Sequence, residues 1–384
     1  MSNSDRRTFL KLTGGAVGVG ALSGCISLNG SGGSDTTTEE TTSGSSGTTD
    51  ASGTTDDSTT SGGEANADLN VGMVYALGGL GDKSFNDMAN KGVKRAEEEM
   101  GITFQNAQPQ QQSDFKTLQR RFASQNKFDL ICCIGYAQTE ALKANSKNFS
   151  DQDFMLVDSV VEQSNVANYT FKEHQGSFLV GQLASMLTTR DFSAGAGATA
   201  SSETKVGFVG GVKVPLIEKF QAGFEKGVAH ANSDVSVDVT YTGSFGDPSK
   251  GKEAALSMYQ NGADIVYHAA GATGLGVFKA AQQEGRFAVG VDADQSRSEP
   301  SYKDVILASM VKRVDNAVYK SIDNKVNGNY NGGGVQALGL EKDGVACVYG
   351  QSLGSDIPQE VKDGISQSRQ KIIDGDISVP TKPQ

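Results

Sequence analysis

Residues 71–100 read VGMVYALGGLGDKSFNDMANKGVKRAEEEM, and the architecture turns on this stretch. Residues 71–75 are a short apolar run of strand length, and residues 84–100 are long enough for a helix. In the second segment Phe85, Met88, Val93, Ala96 and Met100 fall near one helical face, and Ser84-x-x-Asp87 resembles a capping box at its start. The turn Ala76-Leu77-Gly78-Gly79-Leu80-Gly81 separates the two. Its glycines let the backbone come close to a ligand, and the helix N-terminus behind it offers free N–H groups. Strand, turn and amphipathic helix in this order open a βαβ unit.

The alternation continues downstream. Strands are expected at 102–105, 130–134, 154–157 and 169–171, with helices over 114–125 and 173–187. The pattern then begins again. Strands at 206–209, 235–241, 265–268, 288–291, 306–310 and 344–349 alternate with helices over 215–231, 249–260, 273–283 and 315–325. Two such runs predict an α/β protein of two similar lobes with parallel sheets. Ligands of open α/β sheets bind outside the carboxyl ends of the strands. Here those ends carry Asp158, Gly210-Gly211, Gly271-Ala272-Thr273-Gly274 and Asp292-Ala293-Asp294-Gln295, so facing lobes would share a cleft.

Upstream, Arg6-Arg7-Thr8-Phe9-Leu10-Lys11 is a twin-arginine pattern before a Gly/Ala/Val-rich run that is too short for a membrane span. Leu22-Ser23-Gly24-Cys25 resembles a lipobox. Residues 1–24 therefore read as an export signal and Cys25 as the lipidation site. Residues 26–68 are almost pure Ser, Thr, Gly, Asp and Glu and cannot bury enough apolar surface to fold. With Cys25 they make a tether, 25–68, spanning roughly 35 Å as a flexible coil. Its Thr clusters could carry O-linked sugars.

Composition narrows the function classes. Against 45 Asp and Glu stand 34 Lys and Arg, a net charge of −11, which argues against a nucleic-acid partner. No later apolar stretch approaches the ~20 residues of a membrane helix. Cys132 and Cys133 are adjacent in a strand, so they face opposite ways and cannot readily pair; with Cys347 they read as small buried hydrophobes. His174, His230 and His268 lie far apart, and no metal spacing appears. The turn after residue 75 is neither a phosphate-binding GxxxxGK[ST] loop nor a dinucleotide fingerprint, and no GxSxG or HExxH occurs. No cofactor and no enzymatic activity are expected; hydrolysis of a nucleoside or sugar is the minor alternative.

Several stretches resemble one family in order along residues 70–330. Gly81-Asp82-Lys83-Ser84-Phe85-Asn86 is similar to the DKSFN signature of the basic membrane protein family, the PnrA-like nucleoside-binding lipoproteins. So are Phe171-Lys172-Glu173-His174-Gln175-Gly176-Ser177-Phe178, Ala269-Ala270-Gly271-Ala272-Thr273-Gly274, Gly290-Val291-Asp292-Ala293-Asp294-Gln295 and Ser309-Met310-Val311-Lys312-Arg313-Val314-Asp315. The resemblance implies a type I periplasmic-binding-protein fold and a role as the capture component of an ABC importer. It implies that Phe85 and Phe220 stack on the two faces of a base, with Phe224, one turn on, able to replace Phe220. Asn86 and Asp158 would meet polar edges of the base or sugar, Gly271 would offer backbone, and Asp292 and Lys312 would hold the ribose hydroxyls. One departure stands out. Many members carry an acidic or amide residue just after the first strand, where this chain has Ala76-Leu77-Gly78-Gly79.

The expectation is thus a monomeric solute-binding protein, lipid-anchored on the extracellular face of the cell membrane, that takes a nucleoside, preferably a purine, to a membrane permease. The alternatives are a ligand-sensing receptor and a binder of a sugar or other small molecule. Chain crossings are expected near Lys172, near Lys312–Arg313 and near Gly332–Gly334. They place residues 70–172 and 313–333 in lobe 1, and 173–312 and 334–384 in lobe 2.

Overall fold

A computed structural model describes residues 68–200 and 204–383. The export signal, Cys25 and all but the last residue of the tether lie outside the described residues. What is described falls within one compact unit.

The chain first lays down β1 (Asn70–Val74), α1 (Phe85–Met100), β2 (Thr103–Ala107), α2 (Asp114–Ala123), β3 (Leu130–Cys133), α3 (Thr139–Asn148), β4 (Phe154–Val157) and β5 (Val166–Phe171). It then crosses to a second lobe through α4 (Glu173–Thr188). There follow a two-stranded hairpin of β6 (Ser193–Ala194) and β7 (Gly197–Ala198), then β8 (Lys205–Gly210), α5 (Pro215–Ala231), β9 (Ser236–Tyr241), α6 (Pro248–Gln260), β10 (Ile265–Ala269), α7 (Leu275–Glu284), β11 (Phe287–Asp292), the short α8 (Gln295–Ser298) and β12 (Ile306–Lys312). Helix α9 (Val314–Val326) returns to pack on α1, and β13 (Val335–Leu338) follows it. The chain ends in β14 (Val345–Tyr349) and α10 (Gln359–Asp374).

Each lobe holds a six-stranded sheet, in the orders β13-β5-β4-β3-β1-β2 and β14-β12-β11-β10-β8-β9. The first is parallel throughout. The second is parallel except for β14, which runs antiparallel to β12. In both sheets the order reverses direction between the first strand and its inner neighbour. That switch point is where connections leave in opposite directions and a crevice opens.

Two expectations are corrected. β13 pairs with β5, Val335 opposite Asn168 and Leu338 opposite Phe171, so 335–338 belongs to the first sheet. The third crossing therefore lies past Leu338, not at Gly332–Gly334. Gly332 to Gly334 form a turn, with Gly334 N donating to Asn331 O, that feeds the edge strand. The capping box also fails. Ser84 makes no cap hydrogen bond. Asp82 does that work: one oxygen accepts from Ser84 N and Asp87 N at 3.0 and 3.2 Å, the other from Asn86 N at 2.9 Å. Asp87 faces back into the turn and accepts from Gly81 N and Lys83 N.

Cys132 and Cys133 are buried without disulfides, in two different apolar clusters on opposite faces of β3. Helices α4 and α5 approach closely at glycines. A Cβ on Gly227 would lie 2.0 Å from Phe178 O, and one on Gly181 would lie 2.2 Å from Phe224 O. This contact fixes where α4 begins, at Glu173, relative to Lys219 and Phe220 on α5.

Candidate functional site

The turn after β1 and the start of α1 bring Asp82, Phe85 and Asn86 to the mouth of the first sheet. Asn86 is nearly buried. Its Oδ1 accepts from Ala76 N at 2.8 Å and its Nδ2 donates to Asp82 Oδ2 at 3.1 Å. One N–H and one lone pair of that amide remain. Gly135 and Tyr136 follow β3, and Asp158 follows β4. From the other lobe come Phe220 on α5, Phe245 after β9, Gly271 after β10, Asp292 at the end of β11 and Lys312 at the end of β12. These residues line a single cavity of about 400 Å³. Phe85, Asn86, Asp158, Phe220, Gly271, Asp292 and Lys312, named from the sequence, all stand on its wall. Phe224 does not. It is fully buried against Tyr267 and Phe208, ring centroids 5.2 and 6.1 Å away.

Lys312 is the electrostatic centre. Its side chain is 2% exposed, and its ammonium lies 2.7 Å from each oxygen of Asp158 and 3.1 Å from Glu173 Oε1. Glu173 Oε2 in turn meets Lys219 Nζ at 2.7 Å, and Lys219 also donates to Phe171 O at 3.1 Å. Two lysines and two carboxylates thus form a chain, buried except at Lys219, that crosses from lobe to lobe. Burial raises the pKa of the Asp158 carboxyl, against the pull of Lys312. Burial works against the charge on Lys312, but Asp158, Glu173 and Asp292 outweigh it and hold the ammonium well above its usual pKa. Burial likewise works against Glu173, and Lys312 and Lys219 bring its carboxyl below the usual range. The rings of Phe85, Phe171 and Phe220 surround the ammonium, with centroids at 5.0, 5.1 and 5.6 Å. Phe85 and Phe220, from opposite lobes, therefore flank the same cation.

Asp292 sits outside this chain. Its backbone is left-handed, φ 63°, and its carboxylate accepts from Ser84 Oγ across the cleft. Burial pushes its pKa up to about 7, against the pull of Lys312 and the Ser84 hydrogen bond. A further bridge lies beside it. Gln295 Nε2 donates to Lys83 O at 3.2 Å, and Ser298 Oγ donates to the same oxygen at 3.3 Å. Gln295 Oε1 accepts from Val291 N and from His268 Nε2, at 2.8 and 2.9 Å. Burial holds His268 at about 4, so it is neutral and protonated on Nε2.

The sequence reading gave no binding role to Glu173, Lys219, Gln112, Tyr136 or Phe245, and took Ser84 only as a helix cap. Glu173 lies inside a family-like stretch, so its place was signalled although its partner was not. Gln112 sits in a polar run with nothing to distinguish it. Among the described residues no group of His, Cys, Asp and Glu is arranged for a metal, and no helix is long and apolar enough to cross a membrane.

A CD4+ T-cell-stimulating antigen of Listeria monocytogenes is 35% identical over 339 residues, covering 83% of this chain and 90% of that protein. A protein of Lactococcus lactis named ABC transporter nucleoside-binding protein BmpA is 32% identical over 340 residues, covering 83% and 91%. A solute-binding protein of an Aeropyrum pernix ABC transporter system superposes with a TM-score of 0.74 at 28% identity, covering 82% of this chain and 94% of that one. The fold is the type I periplasmic-binding-protein fold. Residues 69–383 match the family described as ABC transporter substrate-binding protein PnrA-like, a family of solute-binding proteins and not an enzyme class. The chain belongs to that family, and so serves an ABC transporter by binding a small molecule.

Proposed function

We propose that this protein captures a purine nucleoside between its lobes and presents the closed form to an ABC permease, from a lipid anchor at Cys25 on the outer face of the membrane. The carrying observation is the pair Phe85 and Phe220, one from each lobe, on a cavity that also holds Lys312 and Asp292. A base is a flat π-surface, and stacking contributes about 1–3 kcal/mol per base. Asp292 lacks a cationic partner within ion-pair distance among the described residues and has lone pairs to offer, which suits vicinal ribose hydroxyls. Lys312 stays charged through its own carboxylates and keeps a positive charge near the same end. Ligand contacts on both lobes would favour closure because only the closed form makes all of them. The name of the Lactococcus relative supports the nucleoside reading.

The rest of the wall is largely apolar, including Ala76, Leu77, Val212, Val214 and Leu216, with Gln112 and Tyr136 adding polar groups. Such a wall suits a broad purine range rather than a single base. The test is calorimetric titration of residues 66–384 with guanosine, inosine, adenosine, uridine and ribose. Tight purine nucleoside binding, weakened by Phe85→Ala, is expected. Binding of ribose alone, or of none of the five, would overturn the ligand assignment.

A further inference from the structure

A second cavity, of about 350 Å³, lies between α9, the edge strand β13 and the third crossing. It shares no lining residue with the cleft. Lys312 faces the cleft, and its neighbour Arg313 lines this second space. Arg95, Arg313, Lys320 and Lys342 bring four cations to its wall, against Asp323 and Asp343. Both acids are already engaged: Lys320 Nζ lies 2.6 Å from Asp323, and Arg369 lies 2.7 Å from Asp343.

The remaining donors are under-used. Neither Arg313 nor Lys342 forms an ion pair among the described residues, and Lys342 Nζ reaches only Ala337 O, at 3.5 Å. Arg95 lies over Tyr319, its guanidinium carbon 3.4 Å from the ring centroid, and donates one bond to Asn316. Its Nε is buried with no acceptor, the Glu99 carboxylate standing 3.8 Å off. In a chain of net charge −11, a concave cluster of cations with spare donors runs against the composition.

We propose that this cavity is a binding site for a small anion bearing carboxylate or phosphate groups, and that its occupancy favours the closed cleft. Arg313 belongs to the second crossing and Lys342 to the third. The two crossings already touch, with Arg313 N donating to Gly344 O at 2.9 Å. An anion held by both side chains ties the hinge strands together on the side away from the ligand. The coupling rests on the reading that the lobes close on a ligand; the site itself does not.

The test titrates the full chain, in detergent, with citrate and with inorganic phosphate, at an ionic strength held constant by sodium chloride. One saturable site is expected. Loss of a charge-assisted hydrogen bond in Lys342→Ala or Arg313→Gln should weaken it by about tenfold or more. Lys342 is exposed, so that variant keeps the test valid if Arg313→Gln fails to fold. Binding should persist in saturating guanosine. Unchanged affinity in the variants, heats reproduced by sodium chloride alone, or displacement by guanosine would each overturn the site. Small-angle X-ray scattering reads the coupling without any nucleoside. Citrate should shrink the radius of gyration of the wild type and leave Lys342→Ala unchanged; no change in the wild type overturns the coupling.

Discussion

Asp158 and Asp292 occupy matching places in the two lobes. Each follows or ends a parallel strand, each has a left-handed backbone with φ 69° or 63°, and each side chain is nearly buried. Yet Asp158 holds Lys312 with both oxygens, whereas Asp292 meets only the Ser84 hydroxyl. Symmetry of fold has not produced symmetry of charge. The paired carboxylate closes a chain that joins the lobes and sets the position of a cation. The unpaired one keeps capacity for a ligand, and a pKa near 7 marks what that capacity costs in solvation.

The comparison can be broken most forcefully at Lys312. Lys312→Met leaves Asp158 and Glu173 buried without their shared cation, and removing one member of a buried ion pair destabilises by about 3–5 kcal/mol. Urea denaturation should show that loss, and a variant as stable as the wild type would mean the chain is not structural. Asp292→Asn should behave in the opposite way. It relieves a buried charge, so stability should hold or rise. Nucleoside binding should weaken by about 1.5–3 kcal/mol, the range for hydrogen bonds to a charged group. Thermal melting and calorimetry on the same sample separate the two effects.

Phe85→Ala removes one stacking face and should weaken purine nucleosides by about 1–3 kcal/mol while leaving ribose unaffected. Equal losses for ribose and guanosine would point to a collapsed site and not to stacking. The smallest effect is expected at Ser298→Ala, which removes one of the two side-chain hydrogen bonds to Lys83 O at a residue outside the cavity wall. A net loss of about 1 kcal/mol in affinity is expected, seen as faster ligand release in stopped-flow fluorescence.

How far the sequence carried varies with the physics of each element. Strands such as Phe154–Val157 and Leu130–Cys133 are buried on both faces and announce themselves as apolar runs. β13 is an edge strand with Val335 53% exposed, so its composition gave no signal and the glycines before it looked like the crossing. Helix α3 was missed because amides, not an apolar stripe, hold it. Asn145 donates to Gln119, which donates to Gln138, which donates to Val74 O, all at 3.0 Å or less. Helix α10 was legible, with Val361, Ile365 and Ile372 buried on one face, and was passed over. At the site, seven residues of the cavity wall were legible through the family resemblance, while Gln112, Tyr136 and Phe245 were not. Nor was the pairing within the site. Nothing local to Lys312 or Glu173 says that they meet, because the contact forms only when the second crossing returns beside the first.

The most direct test of the two-carboxylate account is guanosine affinity at pH 8 and pH 6, for the wild type and Asp292→Asn. Protons and ligand compete for the Asp292 carboxylate, so binding should weaken as the pH falls through the pKa of about 7. Linkage puts the loss at about tenfold between those two values when the bound form stays ionised. His174 and His268 are held at about 4 and add nothing in this window. The account predicts a tenfold loss in the wild type and weak, pH-independent binding in Asp292→Asn. A wild type indifferent to pH, or an Asp292→Asn variant that binds as tightly as the wild type, would contradict it.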